Sequence, residues 1–185
     1  MSDVDDLIQA YKKHASLPWI PNLAAGQRTW MVVYSPVEER RIRARLSDFE
    51  NATRAAGKDW LLVDISTSFG EWIDVHPYRD RYFANPNSLS GAALRALRDY
   101  VIKKISEAAS EKPDPDTVVA VVGVGTLFPF TEISGIIESA ADLVTGRLAV
   151  FFPGDHRQDN YRLLDARDGW NYLATAITPQ EGRLS

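Results

Sequence analysis

The sequence predicts an α/β fold, an open and mostly parallel sheet with helices on both faces. Three observations predict it. Short apolar, β-branched-rich runs recur along the chain, each bounded by polar or turn-forming residues. Amphipathic stretches with helical spacing lie between successive runs. Strand and helix therefore alternate, which builds a parallel sheet whose right-handed crossovers lay helices on its two faces.

The elements follow in order. Residues 3–14 form an amphipathic helix with Val4, Leu7, Ile8 and Tyr11 on one face, and Asp3, Asp5 and Asp6 where the positive helix end favours acids. Ser16 to Asn22 is irregular, punctuated by Pro18 and Pro21 and packed by Trp19 and Ile20. Trp30–Tyr34 reads as the first buried strand. Ser35-Pro36-Val37-Glu38 then carries the residues of a capped helix start. That helix runs through Ile42, Leu46, Phe49 and Thr53 to a stop at Gly57, where a left-handed residue is expected. Trp60–Ile65 is the second strand.

Residues 66–88 are dense in aromatics and have no regular period. A long helix follows from about Leu89 to Ser110, with Leu94, Leu97, Val101, Ile105 and Ala108 inward. Thr117–Gly123 is the third strand. Thr131 is placed to cap a helix carrying Ile133, Ile136, Ile137 and Ala140, closed by Gly146. Leu148–Phe152 is the fourth strand. Tyr161–Asp165 and Asn171–Ile177 then pair as a C-terminal hairpin that extends one edge of the sheet, turning at Asp168-Gly169. Its expected alternation sets Trp170 and Tyr172 on one face, with Asn171 and Leu173 on the other. The organisation is one domain over 1–185, its core spanning about 28–177, with a short tail after Pro179.

Composition narrows the function classes. The 185 residues are 45% hydrophobic and 25% charged, the balance of a globular domain that buries a proper core. Cysteine is absent, which removes disulfides, thiolate metal sites and thiol nucleophiles together. No apolar run approaches the roughly 20 residues that span a bilayer, and the acidic start is unlike a signal peptide, so a cytoplasmic location is expected. A net charge of −4 disfavours autonomous nucleic-acid binding, which depends on neutralising phosphates.

Open parallel sheets bind ligands beyond the carboxyl ends of their strands. Here those ends are Ser35-Pro36, Ser66-Thr67-Ser68, Gly123-Val-Gly-Thr126 and Pro153-Gly-Asp155. The glycine pair could cradle a phosphate, but no G-x-x-x-x-G-K-[ST] or G-x-G-x-x-G string is present, and bulky Leu127-Phe-Pro-Phe follows. The expectation is a tight structural turn and no bound cofactor. His14, His76 and His156 are isolated in sequence, and no G-x-S-x-G elbow occurs. Asp155, His156, Asp159, Asp165 and Asp168 concentrate in one segment. They keep open a metal-dependent hydrolase or nuclease, although their spacing matches no ligand motif and equally describes a solvated loop.

Two surface features compete with their bland readings. Arg40, Arg41, Arg43 and Arg45 spread around the side opposite Ile42, Leu46 and Phe49. That is a solvated helix face, or a basic patch through which an accessory subunit contacts DNA. Trp72, Tyr78, Tyr82, Phe83 and Trp170 fall in irregular or edge elements. There they either seal a sheet end or anchor a partner. Arg167, at the hairpin tip, completes this candidate partner surface.

Three strings also carry a resemblance. Val119-Ala-Val-Val-Gly-Val-Gly-Thr-Leu-Phe-Pro-Phe, Gly146-Arg-Leu-Ala-Val-Phe-Phe-Pro-Gly and Tyr161-Arg-Leu-Leu-Asp-Ala-Arg-Asp-Gly-Trp-Asn-Tyr-Leu-Ala resemble the BrxB family of the bacteriophage exclusion (BREX) defence systems, over about residues 30–177. The loop Asp155-His-Arg-Gln-Asp-Asn matches least. The resemblance implies an α/β core like that of P-loop domains but without the phosphate loop, no catalytic residue, and a non-enzymatic adaptor role. It implies partners encoded beside it, a PglZ-like protein of the alkaline-phosphatase superfamily first, then a BrxC-like ATPase or a PglX-like methyltransferase.

Overall fold

Strands that are apolar on both faces need two covering layers, and the chain supplies both. The computed structural model describes residues 2–128, 130–164 and 169–184. Its sheet runs in the order β2-β3-β4-β1-β7, formed by β1 (Thr29–Tyr34), β2 (Asp59–Asp64), β3 (Thr117–Val122), β4 (Arg147–Arg157) and β7 (Thr175–Ile177), all parallel to their neighbours. β1 and β3 are buried at every residue, which is why they read as continuous apolar runs rather than alternating ones.

Alternate strand residues feed two separate cores. Trp30, Val32, Val118, Ala120 and Phe151 face α1 (Asp3–Ser16) and α3 (Leu46–Ala55). Met31, Val33, Val119, Val121 and Phe152 face α4 (Ser68–Asp74), α6 (Ala92–Glu111) and α7 (Ile133–Leu143). The β1–β2 crossover therefore lies on one face and the β2–β3 and β3–β4 crossovers on the other, so the expected open α/β architecture is observed.

The first core centres on Tyr11. Its ring meets Trp30, Phe49 and Trp60 edge-on at 5.2–6.3 Å, and its hydroxyl lies 2.6 Å from that of Thr53. Burial pushes the Tyr11 hydroxyl well above the ordinary tyrosine range, with the Thr53 hydrogen bond opposing. Instead of a loose tail, α8 (Pro179–Arg183) packs on α1, with Arg183 paired to buried Asp6 and to Asp3. The approach is close: a Cβ on Gly182 would fall 1.9 Å from the Asp6 carbonyl.

Several local expectations change. α1 is capped by Ser2, whose reciprocal bonds with Asp5 form a capping box. The second helix is broken: a 3-10 turn over Pro36–Glu38 leads into α2 (Glu39–Ala44), and a non-helical Arg45 separates it from α3. Ser35 makes no side-chain cap there: the Glu38 backbone N–H donates to the Ser35 carbonyl, and the Glu38 side chain pairs with Arg41. The aromatic segment holds α4 and α5 (Arg79–Ala84). Glu132, not Thr131, precedes α7, and no side chain caps it.

Gly146 does not stop α7. A Cβ there would sit 2.0 Å from the Thr117 carbonyl, so glycine lets β4 pass close to β3. The α7 end is held by Arg28, whose guanidinium donates to the carbonyls of Val144, Thr145 and Gly146.

The C-terminal strands divide. The outer half of β4 pairs antiparallel with β5 (Asn160–Leu163), which pairs with β6 (Trp170–Asn171). The two-residue turn joining β4 to β5 is Gln158-Asp159, both at positive φ. The edge of the main sheet is β7, which joins β1 in parallel, so the antiparallel hairpin projects from the end of β4. The expected turn at Asp168 lies outside the described residues. Gly169 is needed for space, since a Cβ would fall 1.6 Å from Asn160 Oδ1.

Candidate functional site

The carboxyl ends of β1, β2 and β3 converge where the chain leaves β1 for one face and β2 and β3 for the other. A cavity of about 410 Å³ opens there, lined by Glu39, Arg43, Ser66, Gly123, Thr126 and Leu164 among others. This is where open α/β sheets place ligands.

Its polar groups are already engaged with one another. Arg43 reaches back from α2 to Glu39 (2.8 Å), Asp64 (2.9 Å) and the Ser66 hydroxyl (2.5 Å). Ser66 donates its hydroxyl and its backbone N–H to Asp64. The Tyr34 hydroxyl donates to Glu39 at 2.5 Å. Burial, then the Glu39 carboxylate, drive the Tyr34 hydroxyl far above its ordinary value, so it stays a proton donor. Burial alone would raise the Asp64 carboxyl, but hydrogen bonds from Ser66 and Arg43 outweigh it and hold Asp64 below the usual range. Burial likewise opposes the Arg43 charge, and Glu39 and Asp64 overcome it.

Chemically this is a strut. A carboxylate held ionised by a guanidinium is a weak base for the Ser66 hydroxyl, because its basicity lies far below what proton removal needs. The Gly123 turn belongs to the same lock. Gly123 is left-handed at φ 94°, and a Cβ there would lie 2.7 Å from Ser66 N and 2.5 Å from Ser66 Oγ. The glycine admits the loop after β2, matching the tight structural turn expected.

The arginine cluster does not act as one patch. Arg41 pairs with Glu38, Arg43 with Glu39 and Asp64, and Arg45 with Asp5 and Asp48, leaving exposed Arg40 as the one of the four without an ion pair among the described residues. At the break, Arg45 reaches across to Asp5 of α1.

The aromatic candidates also separate. Trp72 is 7% exposed and belongs to the core, because α4 turns it inward, so it is not a surface anchor. It supports His76 at 4.8 Å between ring centres, and Tyr82 flanks the same ring at 5.1 Å. Tyr78 and Phe83 remain 59% and 64% exposed, beside Val75 at 80%. Trp170 is half-buried, stacks on Tyr172 at 4.7 Å as the alternation predicted, and donates its indole N–H to Glu138. Arg167 lies outside the described residues.

The acidic segment is dispersed. Asp155 pairs with Arg157, while His156, its neighbour along the strand, packs tilted against Tyr161 with ring centres 4.5 Å apart. Asp159 sits in the hairpin turn, and Asp165 and Asp168 lie outside the described residues. No three His, Asp or Glu side chains converge among the described residues, and no described helix is long and apolar enough to cross a membrane. Neither family models, curated proteins nor solved structures match this chain.

Sequence reasoning identified the strand ends but missed the Tyr34–Glu39–Arg43–Asp64–Ser66 network. The signal was available: Asp64 ends a strand, and Arg43 lies one residue from inward-facing Ile42.

Proposed function

We propose that this chain is a non-enzymatic assembly component of a BREX-type anti-phage defence complex, acting through protein contacts. The observation that carries the reading is how the polar groups at the strand ends are used: Arg43, Asp64, Glu39 and Ser66 bond to one another at the place where this fold would bind a substrate. The resemblance of the Val119, Gly146 and Tyr161 strings to BrxB supports the choice of system. The contact surface in this reading is the exposed group around α5, with Tyr78, which packs on His76, and Phe83 as anchors. Exposed aromatics of this kind carry a large share of the energy in protein interfaces.

The test is affinity purification of the tagged chain from a host carrying a BREX operon. The wild type recovers an operon-encoded protein, the PglZ-like one first, and Tyr78→Ala with Phe83→Ala loses it while melting unchanged. Recovery of the wild-type chain with no operon-encoded protein would sink the reading.

A further inference from the structure

At the opposite end of the sheet, the amino ends of β3 and β4 border a cavity of about 700 Å³ lined by Trp19, Ile20, Arg28, Asp116, Leu143 and Arg147, among others. Arg147 is 6% exposed, and a guanidinium cannot shed its charge in a protein. Buried charges of this kind are normally paired. Arg147 is not. It donates one hydrogen bond to the Ile20 carbonyl at 3.2 Å and lies 4.8 Å from the Trp19 ring centre.

The nearby acid is shared: Asp116 favours the Arg147 charge but is paired with Lys58. Lys58 stands 4.6 Å from the Trp19 ring centre and takes Asp116 as its own partner. Arg28 spends its donors on the α7 carbonyls and adds a second positive charge. Burial first, then Arg28, push the Arg147 guanidinium below its ordinary value, with Asp116 opposing. The indole N–H of Trp19, which lines the same cavity, is buried without an acceptor among the described residues. One cavity thus holds, among the described residues, a buried guanidinium without an ion pair and a buried indole N–H without an acceptor.

We infer that this cavity is a docking site for a single carboxylate on a partner protein, an Asp or Glu side chain flanked by apolar residues, with Arg147 as its counter-charge and the Trp19 ring as its wall. The rim selects the ligand. Ile20 is 63% exposed and Leu143 48%, so an apolar flank has surface to cover. Asp116 and Asp142 line the same cavity and repel a phosphate chain or nucleic-acid backbone more than a singly charged side chain. The site stands whether or not the assembly reading holds.

The experiment follows the Trp19 indole N–H resonance of the full ¹⁵N-labelled chain, assigned with Trp19→Phe. It is titrated with an N-acetylated, amidated Leu-Glu-Leu peptide, with the Leu-Gln-Leu peptide, and with inorganic phosphate. The Glu peptide shifts the resonance saturably and binds about tenfold or more tightly than either alternative, the scale of one lost charge-assisted contact. Arg147→Met abolishes the response and Arg147→Lys retains part of it. Equal responses to the Glu and Gln peptides, no response to the Glu peptide, or tighter phosphate binding would each overturn the assignment. The wild-type comparison decides the matter even if the Arg147 variants fail to fold.

Discussion

Arg43 and Arg147 stand at opposite ends of the same parallel sheet and are handled in opposite ways. Arg43, at the carboxyl ends, is partly exposed, yet it is wrapped by two carboxylates and a hydroxyl. Arg147, at the amino ends, is more deeply buried, yet it meets one carbonyl and an aromatic ring. Burial raises the cost of an unpaired charge, so intramolecular pairing would be expected where burial is deeper. The inversion teaches that the end where this fold ordinarily binds ligands is internally paired, whereas the other end keeps a buried guanidinium without an ion pair among the described residues.

Breaking the satisfied end should cost most through its backbone. Gly123→Ala forces a Cβ onto Ser66 N at a left-handed φ, so it should destabilise by about 3 kcal/mol or more. Urea unfolding measures this, and a loss below about 1 kcal/mol would mean the Gly123–Ser66 contact is not fixed.

A second prediction concerns acid. Asp64 is held below the ordinary carboxyl range in the fold. Its contribution is therefore fully present above the unfolded value near 4 and is lost as pH falls through the lower folded value. Asp64 is half-exposed, so after screening the effect is about 1 kcal/mol at most. Asp64→Asn should lower stability at neutral pH and flatten this part of the acid slope. An unchanged slope between pH 4 and 2, from urea midpoints, would remove Asp64 from the network.

The smallest expected effect sharpens the comparison by leaving it alone. Arg40 is exposed and has no ion-pair partner among the described residues, so Arg40→Glu should move stability by no more than about 0.5 kcal/mol. A larger loss in thermal melting would mean the arginine-rich helix has a structural role beyond its observed pairs.

The layered fold was legible because its signals are local. Continuous runs such as Trp30–Tyr34 and Thr117–Val122 can be satisfied only by burial on both faces, and Leu97, Val101 and Ile105 repeat at helical spacing. The edge was less so: Thr175–Ile177 is three residues long, and nothing in it specifies a parallel partner in β1. The Gln158-Asp159 turn was missed because its positive φ falls on residues other than glycine. Neither site was legible as a constellation. Arg43 and Asp64 are 21 residues apart, and Arg147 and Ile20 are 127 apart. Pairing over such separations is set by topology, which periodicity does not encode.

The most direct test replaces each guanidinium in turn with an apolar side chain of similar reach. Arg43→Met leaves Glu39 and Asp64 without their shared cation and should destabilise by about 1 kcal/mol, allowing for screening. Arg147→Met keeps the packing of the stem and removes a buried charge that has no ion pair among the described residues, so stability should hold or rise. Urea unfolding of both variants beside the wild type, at one pH and salt, reads the difference. The account predicts that Arg43→Met falls below the wild type while Arg147→Met does not. A larger loss for Arg147→Met than for Arg43→Met would contradict it, because the amino end of the sheet would then be as internally satisfied as the carboxyl end.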